Sequence, residues 1–79
     1  MYDNYDQYEI ALAQEIAHAL RDYDSMPYHL QNARKFKESF LRTQLDAVLA
    51  IPQHKIRNSR AAYYVFLINH KRTDDDLRH

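Results

Sequence analysis

Apolar residues follow a helical period over the first third of the chain. Most of them fall three or four positions apart, so that one helix face carries Tyr5, Tyr8, Leu12, Ile16, Leu20 and Tyr23, widened by Ile10, Ala13 and Ala17. Asn4 followed by Gln7 has the form of a capping box, and Asp3, Asp6 and Glu9 suit the positive end of the helix dipole. The pattern predicts a helix from near Asn4 to residues 21–24.

The middle of the chain fits either one long helix or two shorter ones. Its apolar positions, again at helical spacing, are Leu30, Ala33, Phe36, Phe40, Leu41, Leu45, Val48 and Leu49. Ser25 is a suitable N-cap, and Pro27 is tolerated in the first turn because its missing N–H would be unpaired there anyway. A single long helix would leave little chain to close a core. We therefore predict two helices that meet near Lys37, and Ser39 could cap the second.

The last third of the chain ends one helix and begins another. Pro52 disfavours the α conformation at the residue before it, so residues 52–58 are predicted to form a connector. Asn58 or Ser59 then caps a final helix that runs to about Lys71.

The final helix contains the run 61-AAYYVFLI-68, which is too apolar for a single core-facing stripe. On a helix, one face carries Ala61, Tyr64, Val65 and Ile68, and another carries Ala62, Phe66 and Asn69. Such a helix is either central in a bundle or uses its second face for a partner. Of these two alternatives, the sequence favours the central position.

These elements predict an all-α fold, a compact bundle of three to four helices without a β-sheet, formed by one domain over residues 1–79. The complete absence of glycine agrees with this, because tight β-hairpin turns rely on glycine. We expect an ordered core over residues 4–72 and a charged tail, residues 73–79, that frays.

The composition narrows the class of protein. The chain has no cysteine, which excludes disulfides and thiolate zinc sites and fits a reducing compartment. No secretory leader opens the chain, and its longest apolar run is far shorter than the roughly 20 residues of a membrane span. We therefore expect a cytoplasmic protein that does not enter a membrane.

The charges are segregated along the chain although their sum is zero. Residues 1–24 carry a net charge of −5, residues 25–72 of +7, and residues 73–79 of −2. Asymmetry of this kind bears on the partners of a protein rather than on its fold.

The basic segment offers candidate contacts to phosphate groups. These are Arg34, Lys35, Lys37, Lys55, Arg57, Asn58 and Arg60, the last four of which lie next to a predicted helix start. Nucleic acid, DNA or RNA, is therefore the first partner that the sequence suggests, against the alternative of a plain solvated surface. We also hypothesise that the acidic tail competes with DNA for this basic surface, so that deleting residues 73–79 would tighten DNA binding.

Aromatic residues support a second interpretation. Tyr63 and Phe66 of the final helix could be the apolar anchors of a protein interface, with another protein or with a second copy of the chain. The chain would then be a protein-interaction or homodimerisation domain whose charges only keep it soluble.

The sequence suggests neither catalysis nor metal binding. His18 with Asp22 and His70 with Asp74 have i, i+4 spacing, but no two histidines have it. A glycine-rich nucleotide loop cannot exist without glycine. We therefore expect no enzyme activity, no metal, no cofactor and no small-molecule substrate.

The string 49-LAIPQHKIRNSRAAYYVFLINHK-71 resembles the closing helix of helical modules in bacterial plasmid and phage replication proteins and helicase loaders. In those modules a connector with an apolar–basic–Asn pattern, here 56-IRN-58, precedes a helix that starts with small and aromatic residues, here 61-AAY-63. Ser59 and Arg60 depart from the pattern, which often has proline or glycine at these positions.

The resemblance covers about a quarter of the chain. It implies a replication-linked module that touches DNA or a helicase through Lys55, Arg57 and Arg60. Together with the charge pattern, it leads us to expect a non-catalytic helical binding module that contacts nucleic-acid phosphates through residues 34–60.

Overall fold

The computed structural model describes residues 4–78, so the expectations for Asp3 and His79 lie outside the described residues. Its four α-helices are α1 (Gln7–Leu20), α2 (Met26–Lys35), α3 (Glu38–Leu49) and α4 (Arg60–Lys71), with single 3₁₀ turns at Tyr23–Ser25, Gln53–Lys55 and Asp74–Asp76. Helix α1 packs mainly against α2, and α3 packs against α4. The predicted compact all-α bundle is confirmed, and no β-strand occurs between residues 4 and 78.

Helix α1 begins later than predicted, at a capping box different from the expected one. The Asp6 carboxylate accepts a hydrogen bond from the Glu9 N–H at 2.8 Å, and the Glu9 carboxylate accepts one from the Asp6 N–H at 3.0 Å. The predicted box of Asn4 and Gln7 is therefore wrong. Asp6 and Glu9 have the same spacing two residues later, and their carboxylates suit the positive end of the helix dipole better than neutral amides do.

The other end of α1 is closed by Arg21 in the left-handed conformation, with φ 54° and ψ 44°. The N–H groups of Arg21 and Asp22 donate back to the carbonyls of His18 and Ala17, at 3.1 and 2.8 Å. This is the Schellman arrangement, which most often has glycine at the left-handed position. In a chain without glycine, an arginine adopts this conformation.

Two extended residues separate α2 from α3. Phe36 has φ −111° and ψ 155°, and Lys37 has φ −65° and ψ 144°. The prediction of two helices that meet near Lys37 is therefore confirmed, although Lys37 and not Ser39 occupies the N-cap position of α3. The break turns the Phe36 ring into the core, where it packs on Phe40 with ring centroids 5.1 Å apart.

One core cluster lies between the helices. Its buried apolar residues are Leu12, Ala13, Ile16, Ala17, Leu20, Met26, Leu30, Ala33, Phe36, Phe40, Leu41, Leu45, Val48, Tyr64 and Ile68. Tyr8 and Tyr23, which the sequence assigns to the buried stripe of α1, are exposed instead. Their hydroxyl groups explain the difference: Tyr8 donates to Glu38 at 3.1 Å, and the Tyr23 hydroxyl lies 2.5 Å from Nδ1 of His18.

The charged tail does not fray over residues 73–78. Leu77 packs against the core and forms an isolated antiparallel bridge with Phe36. Beside it, the Arg78 N–H donates to the carbonyl of Lys35 at 2.8 Å, while its guanidinium donates to Ala33 O at 3.1 Å and to Glu9 Oε2 at 3.2 Å. The expectation of a frayed tail is wrong because α2 ends at Lys35 and leaves the Ala33 and Lys35 carbonyl groups for Arg78 to cap.

Candidate functional site

The structure gives Arg34 a structural role that its sequence context does not reveal. Its Nε and Nη2 atoms donate to the Glu9 carboxylate at 3.1 and 2.8 Å, and its guanidinium lies 4.4 Å above the Tyr5 ring. Hydrogen bonds from Arg34 hold the pKa of the Glu9 carboxyl below its usual value. Since Glu9 is buried and also binds Arg78, this network joins α1, α2 and the tail.

Lys35 and Lys37 lie on either side of Phe36, next to the tail. The Lys37 N–H donates to the Asp76 carbonyl at 2.8 Å, and the Lys35 ammonium lies 5.4 Å from the centre of the Phe36 ring. Both side chains are exposed. The tail thus runs beside these two lysines, as the competition hypothesis requires. Within residues 4–78 its acids make no ion pair with them, and the tail is held by backbone hydrogen bonds and by the contacts of Arg78.

Arg60, the last basic residue of the predicted contact surface, ties the start of α4 to the end of α3. Its Nη1 donates to the Val48 carbonyl at 2.6 Å, and its Nη2 lies 3.4 Å from Gln53 Oε1. A cation is favourable at the negative C-terminal end of a helix. The side chain that the sequence assigns to phosphate is therefore already engaged within the fold.

The remaining predicted residues come together in one depression, which we call the connector groove. It has a volume of about 460 Å³ and is lined by Lys55, Ile56, Arg57, Asn58, Ser59, Ala62, Tyr63 and Phe66. The predicted cap is confirmed at Ser59, whose Oγ accepts from the Ala62 N–H at 3.0 Å and so fixes where α4 begins. No acidic residue belongs to this lining, and Lys55 and Arg57 make no ion pair within residues 4–78.

The aromatic side of the connector groove is open to solvent. Tyr63 and Phe66 are 42 and 50% exposed, and their rings meet edge to face with centroids 6.0 Å apart. Phe66 also stacks on His70, with ring centroids 4.0 Å apart. The expected central position of α4 is therefore wrong: Tyr64 and Ile68 are buried, but α4 packs chiefly on α3, so its opposite face stays uncovered.

Away from the groove, acidic and basic side chains neutralise one another. Arg42 of α3 donates to Glu15 of α1 at 2.6 and 3.0 Å and to Glu38 at 2.5 Å. These hydrogen bonds hold the pKa of both carboxyls below the usual value. Arg42 of the basic segment is thus paired with one acid of the first segment, Glu15, and with one acid of its own segment, Glu38.

Glu15 and His18 have a Glu-x-x-His spacing, and in helical bundles this spacing can bind metal. Glu15 binds Arg42, however, and His18 faces Tyr23. Within residues 4–78 no three His, Cys, Asp or Glu side chains are grouped in a way that could hold a metal ion.

Comparison of the chain with protein-family models, with curated proteins and with solved structures found no match. The resemblance to replication modules therefore stays a prediction. None of the helices between residues 4 and 78 combines the length and the apolar character needed to cross a bilayer.

Proposed function

We propose that this protein is a non-catalytic nucleic-acid-binding module whose contact surface is the connector groove. The observation that carries the proposal is the grouping of Lys55, Arg57 and Asn58 in one concave, acid-free surface beside exposed aromatic rings. Arginine, lysine and asparagine side chains are the usual donors to phosphate oxygens. The remaining predicted contacts differ in how available they are to phosphate. Lys35 and Lys37 are exposed, whereas Arg34 and Arg60 form hydrogen bonds within the fold.

The salt dependence of binding reports how many cations contact phosphates. Each contact to duplex DNA contributes a slope of about 0.9 to the dependence of log affinity on log salt. If only Lys55 and Arg57 make contact, affinity should fall about tenfold between about 50 and 200 mM salt. If Lys35 and Lys37 also make contact, the fall should be on the order of 100-fold.

The test is fluorescence anisotropy of labelled DNA and RNA with wild-type protein and two charge-reversal variants. K55E/R57E changes the groove, and K35E/K37E makes the same change in net charge beside the tail. We expect the groove variant to lose binding and the matched control to keep most of it. Equal losses would mean that the overall charge, and not the groove, attracts the nucleic acid. Arg60 is left unchanged because it supports α4, and circular dichroism checks that both variants fold.

A protein interface is the second candidate, because the same α4 face leaves Tyr63 and Phe66 half exposed and Leu49 is also exposed. Such aromatic residues are typical interface anchors. A symmetric dimer through this face would bring Lys55 and Arg57 close to their own copies, which is electrostatically unfavourable. Sedimentation equilibrium distinguishes the two candidates. This second candidate would be favoured if the wild type formed a dimer, the Y63S/F66S variant were a monomer, and neither bound nucleic acid.

A link to replication rests on the resemblance alone, over residues 49–71. It would be supported if the protein bound a helicase or replication-origin DNA in preference to unrelated partners and sequences. The connector groove gives no reason to prefer one base sequence, because its charged side chains suit phosphates rather than base edges.

A further inference from the structure

We infer that the connector groove binds single-stranded nucleic acid, with Tyr63 and Phe66 stacking on unpaired bases while Lys55 and Arg57 hold the backbone. This inference rests on the proposed function and specifies its partner. Phosphate contact alone does not separate single strands from duplexes, since both present the same charged groups. The aromatic rings of the groove distinguish the two, because only a single strand offers unpaired bases on which they can stack.

The rings and the cations line the same groove. Tyr63 and Phe66 are one helical turn apart on α4, and Lys55 and Arg57 project from the connector that precedes it. Ala62 also lines the groove, and its small side chain takes up little space beside the rings. A nucleotide that enters has its flat base against the rings and its phosphate toward the cations.

The exposed rings have no role in the core. The buried face of α4 is supplied by Tyr64 and Ile68, so the half-exposed Tyr63 and Phe66 add little to core packing. His70 stacks on the Phe66 ring at 4.0 Å, and Tyr63 meets it edge to face, so a base can reach only the parts of the two rings that stay exposed, 42% of Tyr63 and 50% of Phe66. Aromatic rings beside a basic groove are the recurrent arrangement of single-strand binding, because every base has a π face.

Duplex DNA does not fit this surface as well. Proteins that read duplexes push a protruding helix or ribbon into the major groove. The connector, residues 55–59, and the first turns of α4 instead line a concavity of about 460 Å³. Small-molecule sites usually have volumes of about 300–1,000 Å³. In a duplex the bases are stacked inside the helix, so Tyr63 and Phe66 would gain no contact with them.

The experiment compares three labelled probes by fluorescence anisotropy at low salt. They are an oligothymidine of about ten nucleotides, an abasic strand of the same length, and a duplex of the same length. The wild type should bind the oligothymidine more tightly than the other two. Y63A/F66A should weaken oligothymidine binding by about 5- to 150-fold for each base that it unstacks, and should leave abasic binding unchanged. Y23A, which removes an exposed tyrosine outside the connector groove, is the matched control and should bind like the wild type.

The possible failures are distinguishable. If the three probes bind equally and K55E/R57E weakens all of them, the groove contacts phosphates only; the inference is then overturned and the proposed function stands. If no probe binds, the proposed function is overturned as well. Tyr63 and Phe66 are exposed, so their alanine variants should fold, and circular dichroism of each variant verifies this.

Discussion

Replacing Arg21 by a residue without a Cβ should stabilise the protein, because Arg21 adopts a strained left-handed conformation. It closes α1 with φ 54° and ψ 44°, a conformation in which a Cβ approaches the following carbonyl oxygen at a cost of about 1–2 kcal/mol. Glycine has no Cβ and avoids this cost, but the chain contains no glycine. Replacing Arg21 by glycine should therefore increase the free energy of unfolding.

Two further terms set the size of the gain. Glycine gives the unfolded chain more freedom than a residue with a Cβ does, which offsets about 0.5–1 kcal/mol. The Arg21 side chain is exposed and makes no hydrogen bond within residues 4–78, and both backbone bonds of the Schellman arrangement survive the change. The net gain should be about 0.5–1 kcal/mol, which raises the Tm of a domain of this size by about 2–8 °C.

Thermal and urea unfolding followed by far-ultraviolet circular dichroism measure this gain. The matched control is Arg21→Ala, which removes the guanidinium and keeps the Cβ, and its stability should stay within about 0.5 kcal/mol of the wild type. If Arg21→Gly lowers the Tm, or if Arg21→Ala raises it equally, left-handed strain at this residue is not the cause.

Two more predictions concern the tail and a buried histidine. Arg78→Ala should lower the free energy of unfolding by about 1–3 kcal/mol, because it removes charged hydrogen bonds to Glu9 and Ala33, whereas Asp75→Ala, at an exposed tail position, should change it little. His29 is buried with Nε2 3.1 Å from Asp22 Oδ2, and burial lowers its pKa from the ordinary value of 6.5. The unfolded chain therefore binds a proton at His29 more readily than the folded protein, so the free energy of unfolding should fall as the pH drops below about 6.5. The variant His29→Gln should make the free energy of unfolding less dependent on pH.

Urea unfolding measures both. Arg78→Lys keeps the charge without the planar fork and should recover only part of the loss. The pH dependence should appear between pH 7 and pH 5, because the ordinary histidine pKa is about 6.5. A wild-type free energy of unfolding that stays constant over this range would contradict the role given to His29. The tail result also bears on the competition hypothesis. Deleting residues 73–79 removes the Arg78 contacts along with the acids, so D74N/D75N is the cleaner test of whether tail charge opposes DNA binding.

Local features of the fold were predictable because nearby residues set them. Pro52 stops the helix before it, Ser59 caps the helix after it, and the apolar period marks which side of each helix is buried. The first cap was misplaced because two pairs of suitable residues, at positions 4 and 7 and at 6 and 9, share the same spacing. Sequence spacing cannot rank two such caps when their surroundings are unknown.

The candidate site was predictable only in part. Lys55, Arg57 and Asn58 do share a surface with Tyr63 and Phe66, so the two interpretations that the sequence kept apart concern one groove. The roles of Arg34 and Arg60 could not be predicted, since their partners are Glu9, 25 residues away, and Val48, 12 residues away. A glutamate on the apolar side of α1 was a signal that some distant cation must pair with it.

By itself, the sequence determined that the chain forms helices, where most of them start and stop, and that its middle carries excess positive charge. Those properties depend on contacts between residues a few positions apart. Only the tertiary structure decided that α4 keeps one face open, that Arg78 closes the bundle through Glu9, and that some basic residues are used up within the fold while Lys55 and Arg57 are not. Such outcomes depend on which distant groups meet, and a helical period specifies which face of a helix is buried but not which neighbour covers it.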